Sequence, residues 1–214
     1  MGDTLPKFVL VVDCDEPQQQ FTDRLTPYMA SLPGTALTHV VLPAQSGTEE
    51  REPSISSASV IVEWFAAVSP EAAQWADALA VDVDRLRWYA VSEALRWNRP
   101  GTSRSSATGI SHICCVGRSP GITQAQFKEH WTEVHRPLAQ KHHFGMELYV
   151  QNVVRSQSGS DGREIDGIAE LGFSSVESFQ AEMYDSAEGL KTISADVSKF
   201  VGTASCGLYR LLSS

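Results

Sequence analysis

Four histidines fall within TQAQFKEHWTEVHRPLAQKHH, residues 123–143. Imidazole titrates close to neutrality, which makes it the natural general acid/base of a protein site. On an ideal helix with Trp131 set at zero, Phe127 lies at about −40° and Leu138 at about −20°. His135 then lies at about +40° and His142 at about +20°, so both project from the apolar stripe that must face a sheet. His130, at about −100°, and His143, at about +120°, fall on the flanks of that stripe. Pro137 stands between the two inward histidines and opens the helix there. His135 is therefore the candidate general acid/base, with His142 as a second. A single core histidine is as well explained by space-filling and a bond to a backbone carbonyl. Two on one stripe, beside a proline, point instead to a polar-lined cavity.

Other residues could complete such a site. Glu170 sits mid-strand in DGIAELGF, and a buried carboxylate must be paired, hydrogen-bonded or protonated. It is a candidate base or orienting partner. Glu63, in the matching place of VIVEWF, argues more strongly for a structural role of both. Tyr149 and Gln151 share one face of a strand and Asn152 takes the other. Gln151 and Asn152 are candidates to hold a substrate oxygen; Trp131, Tyr149 and Phe173 are candidates to line an apolar pocket. His112, on a neighbouring strand, is a further candidate whose plainer reading is an exposed strand end. His130 and His135 should point about 140° apart on a regular helix, too far for joint ligation. With no HExxH and no CxxC, no metal is expected. The absence of a Walker lysine, GxGxxG and GxSxG leaves no cofactor and no acyl-enzyme serine to expect.

The elements that must position these residues come in a repeated order. In the second half, SHICCVG (111–117) reads as a strand ended by Arg118-Ser119-Pro120-Gly121. Thr123 and Gln126 form a capping-box pattern before the histidine-bearing helix. Strands follow at 146–154 and 166–173, then a second capping pattern at Ser174 and Glu177. A long helix, interrupted near Ser186 or Gly189, precedes a last strand at 206–212. The first half shows strands at 7–13, 36–42, 59–68 and 86–95, with helices carrying Phe21, Leu25 and Tyr28, then Trp75 and Leu79. Ser69-Pro70 reads as the second helix's start. Both loops between second and third strands contain Gln-Ser-Gly and Arg-Glu (Gln45 to Glu52; Gln157 to Glu164). Each β-α-β-β-α-β unit is a split βαβ arrangement with both helices on one sheet face. The expected fold is α+β: two ferredoxin-like units, 1–99 and 110–214, fused as a pseudo-dimeric α/β-barrel. The first is chemically poor.

The chain has 214 residues, 42% of them hydrophobic, and a net charge of −9. That charge disfavours nucleic acid and anionic membranes as partners. No run reaches the roughly 18 apolar residues of a membrane span, and the N-terminus reads as a strand and not as a signal peptide. Cys14, Cys114, Cys115 and Cys206 lie in apolar runs and are expected reduced in a cytoplasmic protein.

Through GRSPGITQAQFKEHWTEVHRPLA, LYVQNVV and DGIAELGF, residues 110–212 resemble the EthD family of the dimeric α/β-barrel superfamily. Phe127, Trp131, His135, Pro137, Leu138, Tyr149, Gln151 and Glu170 fall on that family's pattern. His130 departs from it where an aromatic residue is usual, and Val153 stands where members often carry a histidine. The resemblance implies a pocket for flat or phenolic small molecules and chemistry by proton transfer, dehydration, cyclisation or oxygenation. The expected function is a cofactor-free lyase, cyclase or dehydratase acting on a phenolic, polyketide-like or carbonyl-bearing small molecule. His135 would be its acid/base and His142 or Glu170 the partner. The alternatives are a cofactor-independent monooxygenase of an aromatic substrate and a non-enzymatic binding or stress-response protein. Fusion supplies an intramolecular partner, and a further homodimer is compatible with it.

Overall fold

A computed structural model of the chain describes residues 5–13, 18–42, 60–82, 85–101, 109–158 and 164–212. Cys14, the loop 45–52 and residues 102–108 and 159–163 lie outside the described residues. The elements are β1 (Lys7–Val12), α1 (Gln18–Ser31), β2 (Thr35–Val41), β3 (Val60–Phe65), α2 (Ala72–Leu79) and β4 (Leu86–Asn98). There follow β5 (Ile110–Arg118), α3 (Gln124–Glu129), a π-helical turn (His130–His135) and α4 (Arg136–His142). The chain continues through β6 (Leu148–Ser158), β7 (Gly167–Phe173), α5 (Val176–Glu182), α6 (Ala187–Phe200) and β8 (Val201–Leu211).

The fold expectation needs correcting. Two ferredoxin-like units fused as a pseudo-dimeric α/β-barrel are not what forms. The strands close into a single eight-stranded β-barrel in the order β1-β3-β2-β8-β5-β7-β6-β4. Strands β4 and β8 run longer than their apolar patterns suggest, 13 and 11 residues. An open edge exposes a row of unpaired N–H and C=O groups, and ring closure removes it. Hydrophobic periodicity reports which face of a strand is buried but not which distant strand it pairs with. By packing, the chain divides into two compact units, residues 1–92 with 154–162 and 214, and residues 93–153 with 163–213.

In the first unit β1 is buried along its length between β3 and β4. Alternation puts Phe8, Leu10 and Val12 on one face. There Phe8 meets Trp64 and Trp64 meets Trp75, with ring centroids 5.9 and 5.6 Å apart. Tyr28 closes edge-on against Trp75 at 5.1 Å, and Phe21, Leu25 and Leu79 are fully buried. Aromatic and aliphatic side chains dominate this face, with Thr38 in register with Val62 as a polar exception. Helix α2 starts at Ala72 after Glu71, without a side-chain cap, so Ser69 is not its N-cap. The opposite face carries charge. Lys7 Nζ lies 2.7 Å from Glu63 and His39 Nε2 lies 3.5 Å from it, all three buried. The sequence singles out Glu63 but not Lys7, because a lysine at a strand start ordinarily reads as exposed.

In the second unit β5 lies between β7 and β8, and β6 pairs with β7. The capping box at α3 forms: the Gln126 amide N–H donates to Thr123 Oγ1 at 3.2 Å, and the Thr123 N–H donates to Gln126 Oε1 at 2.8 Å. At α5 the cap is Ser175, bonded by the Ser178 N–H, one residue beyond the Ser174 expected. The interruption near Ser186 is real, since α5 ends at Glu182 and Ser186 caps α6. Helix α3 and the π turn press Phe127 and Trp131 onto Gly167, where an added Cβ would strike the Trp131 ring and sit 3.2 Å from Phe127 Cζ. Gly167→Ala should therefore cost about 1–3 kcal/mol through overpacking. Denaturant unfolding would show it as a lower midpoint, and an unchanged midpoint would mean that the Trp131 ring yields freely.

Candidate active site

The histidine-bearing helix is not regular. Across His130–His135 it runs as a π turn, and the Arg136 N–H donates to the Trp131 carbonyl five residues back. Pro137 follows directly; it lacks an N–H and its ring crowds the carbonyl four residues earlier, which favours under-winding just before it. The Thr132 hydroxyl also donates to the Lys128 carbonyl at 2.9 Å, competing with the regular ladder. Bonding five residues back brings positions five apart to one side. His130 and His135 therefore converge, where a regular helix would separate them.

They converge on Asp196 of α6. His130 Nε2 lies 3.0 Å from Asp196 Oδ1, and His135 Nδ1 lies 3.0 Å from Asp196 Oδ2. Lys199 Nζ approaches the same carboxylate at 3.6 Å. Phe200 lies against both imidazoles, at 4.8 Å from the His130 ring and 5.2 Å from the His135 ring, and meets Phe127 at 5.6 Å. Asp196 is 2% exposed and His135 6%. Burial alone would raise the Asp196 carboxyl. The hydrogen bonds and charge of His135 and His130 outweigh it and hold Asp196 below the usual carboxylate range. Burial lowers His135, and only in part do the Asp196 bond and charge pull it back. At neutral pH the ring is thus a free base. Its Nδ1–H is given to Asp196, which leaves the Nε2 lone pair with no hydrogen-bond partner among the described residues.

Beside this pair, Trp131 Nε1–H and Gln151 Nε2–H both donate to the Tyr149 hydroxyl oxygen, at 3.2 and 3.0 Å. Gln151 also donates to the Trp131 carbonyl at 2.9 Å, which ties β6 to the π turn. Burial pushes the Tyr149 pKa up to about 12 against those two bonds, so the phenol keeps its proton. That proton has no acceptor among the described residues, and Gln151 Oε1 is buried without a partner. The group therefore carries one buried donor and one buried acceptor that no described residue satisfies.

The structure brings His135, Trp131, Tyr149 and Gln151 into one unit's helix–sheet layer and separates other candidates from them. His142 Nδ1 is 3.0 Å from Asp185 Oδ2, so it pairs with that carboxylate and not with His135. Glu170 stands in register with Val150, which puts it on the sheet face opposite Tyr149 and Gln151. There it accepts from Ser111 Oγ at 2.8 Å. Asn152 shares that opposite face, buried, and neither polar side-chain atom has a partner among the described residues. His112 and Phe173 share the sheet face of Tyr149 and Gln151, since His112 and Tyr149 both stand in register with Leu171, and there Phe179 meets Phe173 at 5.3 Å and His112 at 5.1 Å. His143 donates from Nδ1 to the Met183 carbonyl at 2.8 Å. Cys114 and Cys206 are joined as a disulfide, which corrects the expectation that both are reduced.

Sequence reasoning missed Asp196, Phe200 and the part played by His130. The signal for Asp196 is present: it falls three residues after Ile193 and four before Phe200, an acid on the apolar stripe of α6. The signal for His130 is masked by the assumption of a regular helix.

Residues 119–204 match the family model of the EthD domain, which bears out the resemblance carried by this half. Among curated proteins none matches the chain. Among solved structures the chain is similar to an anthrone oxidase-like protein, with a TM-score of 0.64 and 11% identity over 98% of this chain and 92% of that one. It is similar to a "putative monooxygenase" from Lactobacillus acidophilus NCFM, with a TM-score of 0.56 and 8% identity over 98% and 94% of the two chains. An EthD-family protein of Bacillus halodurans C-125 is 25% identical over 47% of this chain and 95% of its own, with a TM-score of 0.37. The first two likenesses establish a shared fold. No helix among the described residues is long and apolar enough to cross a membrane.

Proposed function

We propose that the chain is a cofactor-independent oxygenase that converts an activated methylene of an electron-rich, phenolic aromatic into a carbonyl. The observation that carries this reading is the Asp196 carboxylate held between His130 and His135. It fixes the Nδ1–H tautomer of His135 and leaves Nε2 as a base in aromatic surroundings. A proton passes from the substrate methylene to Nε2, and the carbanion is delocalised into the ring system. Tyr149 and Gln151 hold the oxygen on which that charge accumulates. The carbanion gives an electron to dioxygen, and the resulting radicals join in a carbon–oxygen bond. Loss of the second C–H proton then breaks the O–O bond and releases water. The balance is CH₂ + O₂ → C=O + H₂O. The substrate supplies every electron, so no reductant is consumed.

The lyase, cyclase or dehydratase expected from sequence would use the same base. Preference moves to oxygenation because the fold is shared with proteins named for oxidation, an anthrone oxidase-like protein among them. The test is an oxygen electrode with anthrone as the probe and no added flavin, metal or reductant. The expected result is oxygen uptake matched one-for-one by quinone formed. Substrate turnover that continues unchanged under anaerobic conditions would overturn oxygenation and return the site to the lyase reading.

A further inference from the structure

We propose that Cys114, Cys206 and His112, once the Cys114–Cys206 disulfide is reduced, form a three-ligand site for a soft, thiophilic cation such as Zn²⁺ or Cu⁺. The site is distinct from the Asp196 pair. Strands β5 and β8 place Cys114 directly opposite Cys206, with Cα atoms 4.1 Å apart. His112 lies two residues before Cys114, so its ring emerges on the same sheet face. Its Nε2 is 3.6 Å from Cys114 Sγ, and the three ligand atoms all lie within 4.8 Å of one another. Zinc bonds of about 2.3 Å to sulfur and about 2.0 Å to nitrogen at a tetrahedral angle separate S and N by about 3.6 Å. The imidazole and the first sulfur thus already stand at ligand spacing.

Other features of the site agree. Packing against Phe179 helps orient the His112 ring. Cys206 is exposed, which gives an ion access and leaves a fourth position for water. Local spacing rules miss this set because its cysteines stand 92 residues apart and meet only across a strand pair. The sequence expectation of no metal rests on those local rules.

Loading is coupled to redox state. A dithiol reductant attacks the exposed sulfur of Cys206, breaks the S–S bond and displaces Cys114 as a thiolate. Its second thiol then releases Cys206 and leaves as a cyclic disulfide, so that two electrons and two protons have passed to the protein. Zn²⁺ binding expels both thiol protons to solvent, and reoxidation would eject the ion.

The test uses the whole chain, reduced with a dithiol, desalted anaerobically and titrated with Zn²⁺ against a chromogenic chelator; Co²⁺ serves as the spectroscopic probe. The expected result is a single equivalent bound by reduced protein, none at that affinity by oxidised protein, and thiolate-to-cobalt charge-transfer bands. Cys206→Ser should abolish tight binding. His112→Ala should weaken it at least about 10-fold, the lower end of what even an outer-shell partner costs. Cys115→Ser should leave it unchanged, since Cys115 faces the other side of β5. Equal zinc affinity in reduced and oxidised wild type, or cobalt spectra without thiolate bands, would overturn the proposal whether or not the variants fold. Metal occupancy is the readout, so the outcome is independent of the oxygenase reading.

Discussion

Replacing His135 with alanine lowers turnover of the oxygenated substrate by about 10²–10⁴-fold, the usual worth of a positioned general base. Asp196→Asn, which keeps the shape of the side chain, is expected to lose nearly as much through the tautomer. An amide offers one oxygen and one NH₂ group to the two rings that the carboxylate now receives. Whenever the NH₂ faces His135, Nδ1 must accept, and the ring proton moves to Nε2 and blocks the base. The pH profile separates this role from simple packing. Asp196 raises the His135 pKa against a larger effect of burial. Removing its charge therefore lowers that pKa further, and the acid limb of the rate profile shifts to lower pH. A merely structural Asp196 would change the amount of folded protein and leave the limb in place. His130→Gln, which retains a hydrogen-bonding group for the carboxylate, should be the mildest of the three.

Acid should unfold this protein steeply. His112 and His143 are each lowered to about 4, whereas an unperturbed histidine titrates near 6.5. For His112 burial is the main cause and the charge of His143 the second. For His143 burial dominates; the Met183 carbonyl bond and Asp185 oppose it, and the charges of His135 and His142 add to it. The sign follows directly. Below pH 6.5 the unfolded chain takes up protons that the folded chain refuses, so stability is complete above that pH and falls as pH drops toward 4. The loss approaches roughly 3 kcal/mol per ring by pH 4, and because the rings repel each other's charge the two titrations are coupled. Denaturant midpoints measured from pH 7 to pH 4 should fall accordingly, and His143→Gln should flatten the curve. A midpoint independent of pH across that window would mean that neither ring is held neutral by its surroundings.

The parts of this architecture that the sequence makes legible are local. Period-two and helical patterns locate the strands and helices to within a few residues, except β8, which begins at Val201 where its apolar pattern begins at Cys206. They put His135 on the buried stripe and Tyr149 and Gln151 on a common face. The closed ring was not legible, because strand partners at long separation leave no mark on local periodicity. Asp196 was legible in principle, as an acid on an apolar stripe, but its partners lie more than sixty residues upstream. The pairing of His130 with His135 was not, because a wheel of fixed pitch separates them and only Pro137 hints that the pitch changes. Glu170 misled for a related reason. A carboxylate amid apolar neighbours signals burial, while which side of the sheet it enters depends on a register that only β6 and β7 together define.

The π turn also makes the helix a two-ended ruler with one surplus mark. Its early portion is keyed to Gly167 through Phe127 and Trp131, and its late portion to Asp185 and Met183 through His142 and His143. Removing a single residue from positions 132–134 would let the coil return to even pitch with both portions still facing as they do, because a turn closed five residues back spends one extra residue on nearly the same rotation. Both anchorages would then be kept. A further insertion has no such outlet and would swing one portion by about 100° against the other.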